Sequence, residues 1–205
     1  MTVIVAVKDD EGISIGADRR IVSYDAPCKA AEPKFFIKNI PIVNEENEKI
    51  DEKNVVIGVV GYMGINSYVN HSFNMPPMDI DYTDTLGYLI YAMMMLRMEL
   101  DNNNLIKCFE GKSNSECGLL IIMDNKIFNI TPTFHVLEVS EDYYAEGSAY
   151  EIALGSLYTI RNMGDSSMKV ETAIRACNEH SIYVDDNIDI LKVFNDGNMR
   201  WEKQV

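Results

Sequence analysis

Basic residues are scarce in this chain of 205 residues, and so are cysteine, histidine and long apolar runs; each shortage closes off a class of function. Eighteen Lys and Arg stand against thirty-two Asp and Glu, a net charge of −14. Binding to nucleic acid needs Lys and Arg to displace the counterions of the phosphates, so a nucleic-acid partner is excluded. The four cysteines, Cys28, Cys108, Cys117 and Cys177, show no CxxC spacing and have no histidine cluster beside them. A zinc site is therefore not expected, and the four read as free or buried thiols of a reducing cytosol. The first residues lack a basic segment followed by an apolar one, and the most apolar stretch, Leu86 to Leu96, is too short to span a bilayer. No membrane association is expected, and the cytoplasm is the expected location. GxSxG, P-loop, GxGxxG, HExxH and EF-hand patterns are all missing, and His71, His135 and His180 lie in separate segments.

What is present is an ordinary folding composition, 47% hydrophobic and 24% charged, which excludes wholesale disorder. The length predicts one domain over residues 1–205, large enough to bury a continuous core without disulfides or metal. Two β-patterned runs, Val3 to Lys8 and Ile13 to Ala17, flank an acidic turn ending in Gly12 and predict a hairpin. Short strands are expected at Ile21 to Ser23 and Lys34 to Lys38. The charged stretch Asn44 to Asn54 reads as an exposed loop or hairpin tip, and Asn54 to Gly61 as a buried central strand. Helical spacing predicts a first helix over Ile65 to Phe73 and a second from Thr83 to Leu100. Leu86, Leu89, Ile90, Met93, Met94 and Leu96 give the second a broad apolar face, as for a helix sandwiched between layers, with its methionines as core filler. A polar insertion at Glu110 to Glu116 precedes strands at Cys117 to Met123, Lys126 to Ile130 and Phe134 to Val139. Helices follow at Ala149 to Met163 and Lys169 to Ser181, then a strand at Ile188 to Phe194 and a short tail containing Trp201. Hairpins with helices grouped in pairs predict a layered α+β sandwich rather than a βαβ fold.

The N-terminus is where chemistry can reside. Removal of Met1 would make Thr2 the first residue. A free α-amine has a pKa of about 7.7–8.0, so near neutrality part of it can accept a proton from the neighbouring hydroxyl. One residue then supplies nucleophile and base without a histidine.

The surroundings of Thr2 sharpen this reading. Thr2-Val3-Ile4-Val5-Ala6-Val7-Lys8 and Gly12-Ile13-Ser14-Ile15-Gly16-Ala17-Asp18-Arg19-Arg20 resemble the opening of proteasome β subunits and of the bacterial HslV-type peptidase, members of the N-terminal-nucleophile (Ntn) hydrolases. Lys34 follows Asp18 by sixteen residues, as in that family. Gly58-Val59-Val60-Gly61, Glu146-Gly147-Ser148 and Ser181-Ile182-Tyr183 continue the resemblance, which runs from Thr2 to about Val193. It implies a four-layer αββα sandwich and a threonine-type endopeptidase working inside a homo-oligomeric ring on peptides or unfolded proteins, fed by an ATP-dependent unfoldase. By the same resemblance, Thr2 is the nucleophile, Lys34 the cation beside it and Asp18 the partner that holds Lys34. Gly61 is the oxyanion donor, and Ser148 hydrogen-bonds near the Thr2 amine. Ile21, Glu32, Phe36, Val59 and Met63 line the pocket for the substrate side chain, and Val22 and Gly61 pair with its backbone. The chemistry requires no cofactor, but backbone carbonyls of Asn178, Ser181 and Val184 would hold a structural monovalent cation such as Na+.

The chain departs from the pattern in two ways. The stretch His180-Ser181-Ile182-Tyr183-Val184 lacks the Asp and Ser of proteasome β subunits and is closer to the bacterial peptidase. The insertions at 44–54 and 110–116 and the tail after Phe194 lengthen the chain. Two alternatives stay open: a hydrolase of the same fold that cuts a small amide, and an inactive scaffold subunit that keeps Met1.

Overall fold

The computed structural model describes residues 2–23, 26–82, 84–109 and 112–205. From the N-terminus, β1 (Val3–Lys8) and β2 (Gly12–Asp18) form the predicted hairpin, followed by a small ribbon of β3 (Arg20–Ser23) and β4 (Ala26–Lys29). Strand β5 (Phe35–Val43) pairs antiparallel with β6 (Lys49–Val60). The stretch 44–54, expected as an exposed loop or hairpin tip, is the tip of this hairpin. The turn closes within Asn44–Glu48, held by the Asn44 carboxamide oxygen accepting the Glu46 and Glu48 N–H groups, and Lys49–Asn54 continues the strand. Its charges face solvent because this end of the hairpin projects past the packed layers.

Helix α1 (Met63–His71) and the two-residue β7 (Met78–Asp79) lead to α2 (Thr85–Asn102). Asp84, expected inside the first turn of that helix, is its N-cap and accepts the Gly87 N–H; Thr83 lies outside the described residues. A ribbon of β8 (Lys107–Phe109) and β9 (Lys112–Asn114) occupies the polar insertion; Glu110, Gly111 and the side chain of Cys108 lie outside the described residues. Then come β10 (Gly118–Met123), β11 (Lys126–Ile130), β12 (Val136–Glu138) and β13 (Tyr143–Gly147). Helices α3 (Tyr150–Ile160) and α4 (Ser166–His180) follow, with Asp165 capping α4 through the Met168 N–H. The chain ends with β14 (Ile188–Phe194) and β15 (Met199–Lys203), so the expected tail is a strand. The Asp196-Gly197 turn folds it back onto β14, and Trp201 stacks on Phe35 with ring centroids 5.5 Å apart.

Two sheets result, one in the order β13-β1-β2-β14-β15 and the other β12-β11-β10-β6-β5-β7. Strand alternation sends side chains to opposite faces, and β1 shows what that builds. Val3, Val5 and Val7 pack with Ala153, Leu157, Val170 and Ile174 of α3 and α4. Ile4 and Ala6 face the other way and meet Phe35, Val56, Leu120 and Ile122 of the second sheet. The far side of that sheet packs Ile57, Ile121 and Phe128 against α1 and α2. Three apolar cores separate four layers, helix-sheet-sheet-helix. Each fully buried Phe or Ile in them contributes about 1.5–3 kcal/mol.

Helix α2 belongs to an outer layer, with one face on the second sheet and the other bare, rather than lying sandwiched between layers, which corrects the expected face. Tyr88, Leu89, Ala92, Met93, Leu96 and Leu100 are buried. Leu86, Ile90, Met94 and Met98 of the same helix are exposed, Met94 at 58% and Met98 at 57%. Two of the four methionines read as core filler are therefore on the surface. Gly16 lets α4 approach the first sheet closely: a Cβ there would sit 2.5 Å from Val170 Cγ1 and 2.9 Å from the Asp189 carbonyl oxygen.

Candidate active site

The site is assembled at one end of the sandwich, where the first strands of both sheets begin or end. Thr2 precedes β1, Asp18 closes β2, Lys34 leads into β5 and Gly61 follows β6. The first sheet supplies Thr2 and Asp18, and the second supplies Lys34 and Gly61. Thr2, Asp18 and Lys34 are all buried, Asp18 completely.

Their hydrogen bonds form a closed triangle. Lys34 Nζ donates to Thr2 Oγ1 at 2.5 Å and to Asp18 Oδ1 at 3.0 Å. The Thr2 hydroxyl donates to the same Asp18 oxygen at 2.8 Å. Lys34 Nζ also donates to the Arg20 carbonyl at 2.5 Å, so all three ammonium donors have acceptors. Asp18 is fixed from the backbone: Oδ1 accepts the Val3 N–H at 3.1 Å and Oδ2 the Arg20 N–H at 2.9 Å. Burial pushes the Lys34 pKa below its usual value, although the carboxylate of Asp18 pulls the other way. A buried cation 2.5 Å from a hydroxyl oxygen stabilises negative charge developing there.

Two glycines shape the rest of the site. Gly147, at φ +111°, brings β13 against Thr2, where a Cβ would lie 2.1 Å from the Thr2 carbonyl oxygen. Ser148 holds that carbonyl, with its N–H at 2.8 Å and its hydroxyl at 3.3 Å. The hydroxyl expected at the Thr2 amine thus has the Thr2 carbonyl as a partner; Met1 lies outside the described residues. Gly61, at φ +112°, turns the chain from β6 into α1, where a Cβ would meet the Glu116 carbonyl oxygen at 2.3 Å. Only glycine fits both the angle and the space.

The five residues expected around the substrate side chain lie on β3, β5, β6, α1 and the segment before β5. Glu32 and Phe36 share an open cleft with Asn70, His71 and Trp201; Glu32 accepts a hydrogen bond from the Asn70 side chain at 3.1 Å, and its carboxylate lies 3.3 Å from His71 Nε2. Val59 is buried in the core beneath α1 and α2, with Phe36 packed on the same cluster. Met63 begins α1 and is half-buried; Ile21 is half-buried in β3, in register with Cys28. Val22 is in register with Pro27, which has no N–H to give; its side chain lies outside the described residues. Asn178 is in the last turns of α4, Ser181 is its C-cap, and Val184 is buried beyond it, with its N–H 3.4 Å from the Ser181 carbonyl.

One supporting pair was not anticipated. Arg19 grips Asp189 through Nε at 2.6 Å and Nη2 at 2.8 Å, a buried bidentate contact that anchors the chain beside Asp18 to β14. Asp189 in the otherwise apolar run Ile188 to Leu191 was the signal for it, since a charge in a buried strand requires a partner.

No family model matches this sequence, and no curated protein matches it. Solved structures do. BPH of Thiobacillus denitrificans, in complex with epoxomicin, superposes with a TM-score of 0.72 at 17% identity over 92% of this chain and 96% of that one. Eukaryotic HslV from Trypanosoma brucei gives 0.62 at 13% identity over 92% and 97%. Anbu, described as an ancestral beta-subunit, from Yersinia bercovieri gives 0.65 at 12% over 97% and 86%. Identities this low speak to architecture alone, and there they agree with the three-core layering: the chain has the four-layer αββα sandwich fold of these BPH, HslV and Anbu structures.

Proposed function

We propose that this chain is a threonine-type endopeptidase subunit whose Thr2, freed by removal of Met1, cleaves peptide bonds. The observation that carries the proposal is the buried contact of Lys34 Nζ with both Thr2 Oγ1 and Asp18 Oδ1. A fully buried ion pair costs desolvation that an apolar pair would not, and its placement on a hydroxyl at a strand start has a chemical use.

In the proposed reaction the Thr2 α-amine takes the hydroxyl proton as Oγ1 attacks the scissile carbonyl. Lys34 stabilises the developing alkoxide, and Asp18 keeps Lys34 charged and in place. The Gly61 N–H receives the oxyanion of the tetrahedral intermediate. Collapse expels the amine of the C-terminal product with the proton from Thr2, leaving an ester on Oγ1. Water, deprotonated by the same α-amine, hydrolyses that ester and restores Thr2.

Association into a homo-oligomeric ring belongs to the same proposal, supported by the exposed apolar stripe of Leu86, Ile90, Tyr91, Met94 and Met98 on α2. So do an ATP-dependent unfoldase as partner and a cytoplasmic location; among the described residues no helix is long and apolar enough to cross a membrane. A monovalent cation on the carbonyls of Asn178, Ser181 and Val184 is proposed as a structural ligand, since neutral backbone oxygens suit a hard cation. A higher melting temperature in sodium chloride than in choline chloride would support it.

The deciding experiment is intact mass with N-terminal sequencing, followed by hydrolysis of fluorogenic peptides with Thr2→Ala as control and epoxomicin as inhibitor. A chain that starts at Thr2, turns over peptide and loses turnover in Thr2→Ala supports the proposal. A chain that retains Met1 and cleaves nothing is the inactive ring subunit instead.

A further inference from the structure

We propose that Cys117 is a positioning residue for the oxyanion donor, its thiol clamping the turn that aims the Gly61 N–H. The inference rests on the reading of Gly61 given above. Tyr62, the residue that follows Gly61, is held at both of its backbone groups by one sulfur: its N–H donates to Cys117 Sγ at 2.9 Å, and the thiol lies 3.5 Å from its carbonyl oxygen, to which it can donate. Sulfur also marks the limit of the turn, since a Cβ on Gly61 would come within 3.0 Å of Cys117 Sγ.

The clamp is itself anchored. Ser115 Oγ accepts the Cys117 N–H at 3.2 Å and donates to the Cys117 carbonyl at 2.9 Å. The Ser115 N–H reaches the Pro132 carbonyl at 3.0 Å. Glu116, at φ +54°, has its N–H capped by the Asn114 side chain at 2.8 Å. Residues 114–117 thus form a rigid seat at the start of β10, and the Gly61-Tyr62 turn rests on it through the thiol.

Protonated sulfur is what this arrangement needs, because the same atom must accept one hydrogen and donate another. Cys117 is 3% exposed, and burial pushes its thiol up to about 11, with the Tyr62 N–H acting in the opposite direction. At neutral pH it is a thiol, not a nucleophile. Aligned donors in oxyanion sites act through their geometry, so a turn released from its seat loses transition-state stabilisation while substrate binding is kept.

The test compares Cys117→Ala and Cys117→Ser with the parent chain, measuring kcat and KM per folded molecule and affinity for a peptide aldehyde, whose hemiacetal oxygen would occupy the oxyanion position. Cys117→Ala should lower kcat about tenfold with KM within about twofold, the scale of one net hydrogen bond. Aldehyde affinity should fall by a similar factor. Cys117→Ser, which keeps a donor and acceptor on a shorter bond, should recover most of both. If Thr2→Ala retains turnover, the reading of the site fails and this inference fails with it. If Thr2→Ala is inactive but Cys117→Ala keeps the parent's kcat, or loses kcat and KM together without rescue by Ser, this inference alone is overturned.

Discussion

Replacing Asp18 by Asn tests the buried triangle without changing its shape. At 3.0 Å and an effective dielectric constant of about 20, the Lys34–Asp18 attraction is roughly 5 kcal/mol before desolvation is counted. Removing one partner of such a pair leaves a buried charge behind, at a cost of about 3–5 kcal/mol. Asn adds a second penalty. Its oxygen can still face Thr2, Val3 and Lys34, but its NH2 then points at the Arg20 N–H, a donor against a donor. Some of the cost is relieved because burial already lowers the Lys34 pKa, and loss of Asp18 removes the influence that raises it. A net loss of about 3 kcal/mol remains, or about 6–12 °C in melting temperature for a chain of this size. The assay is thermal melting and urea unfolding of Asp18→Asn, Lys34→Met and the double variant. The double variant should be less destabilised than the sum of the singles by about 1.5 kcal/mol or more, because each single strands a charge or acceptor that the double removes. Additive singles, or a shift below about 3 °C for Asp18→Asn, would refute the reasoning.

Further outcomes follow from the same geometry. Lys34 titrates below its usual 10.5 in the folded state because of burial. The unfolded chain therefore binds more protons between that lowered value and 10.5, and this group's contribution to stability rises with pH across the window. Activity runs the other way, so the alkaline limb of the kcat/KM profile should have its midpoint below 10.5; a limb at or above 10.5 assigns it to another group. Asp9 is held at about 2: burial opposes this, but the side chain and N–H of Ser166 and the ammonium of Lys192 outweigh it. Its contribution is present above its ordinary 3.8 and is lost as pH falls towards 2. Asp9→Asn should cost about 1 kcal/mol at pH 7, allowing for solvent screening, and nothing near pH 2 in urea titrations. Gly61→Ala must place a methyl 2.3 Å from the Glu116 carbonyl oxygen at φ +112°. It should lose about 2 kcal/mol or more of stability and about 100-fold in peptide turnover, measured by melting and steady-state kinetics.

Much of this architecture could be read from side-chain periodicity. The β-branched run Val3 to Lys8 predicted a hairpin strand, while its burial on both faces, between the two cores around β1, comes from the structure. Helix α2 was harder. Its apolar residues circle the helix, and periodicity cannot tell a face buried in the same chain from one left bare, so Ile90 and Met94 were assigned to the core. Strand β13 was not anticipated because its buried pattern is weak; its place at the sheet edge comes from pairing with β1. Among the site residues, Thr2, Asp18 and Lys34 were brought together only by family spacing, since nothing local distinguishes Lys34 from a strand-edge lysine. The Arg19–Asp189 grip joins residues 170 apart, a distance at which sequence patterns say that a charge needs a partner but not which one.

Because Thr2 and Asp18 lie on one sheet and Lys34 and Gly61 on the other, neither half of the sandwich holds the chemistry by itself. A chain still emerging from the ribosome, or one whose two sheets have come apart on heating, presents a plain threonine and a solvated lysine. The proposed catalytic arrangement exists only while the apolar layer around Ile4, Phe35 and Leu120 is closed. The proposed peptidase activity would therefore report closure of that interior seam.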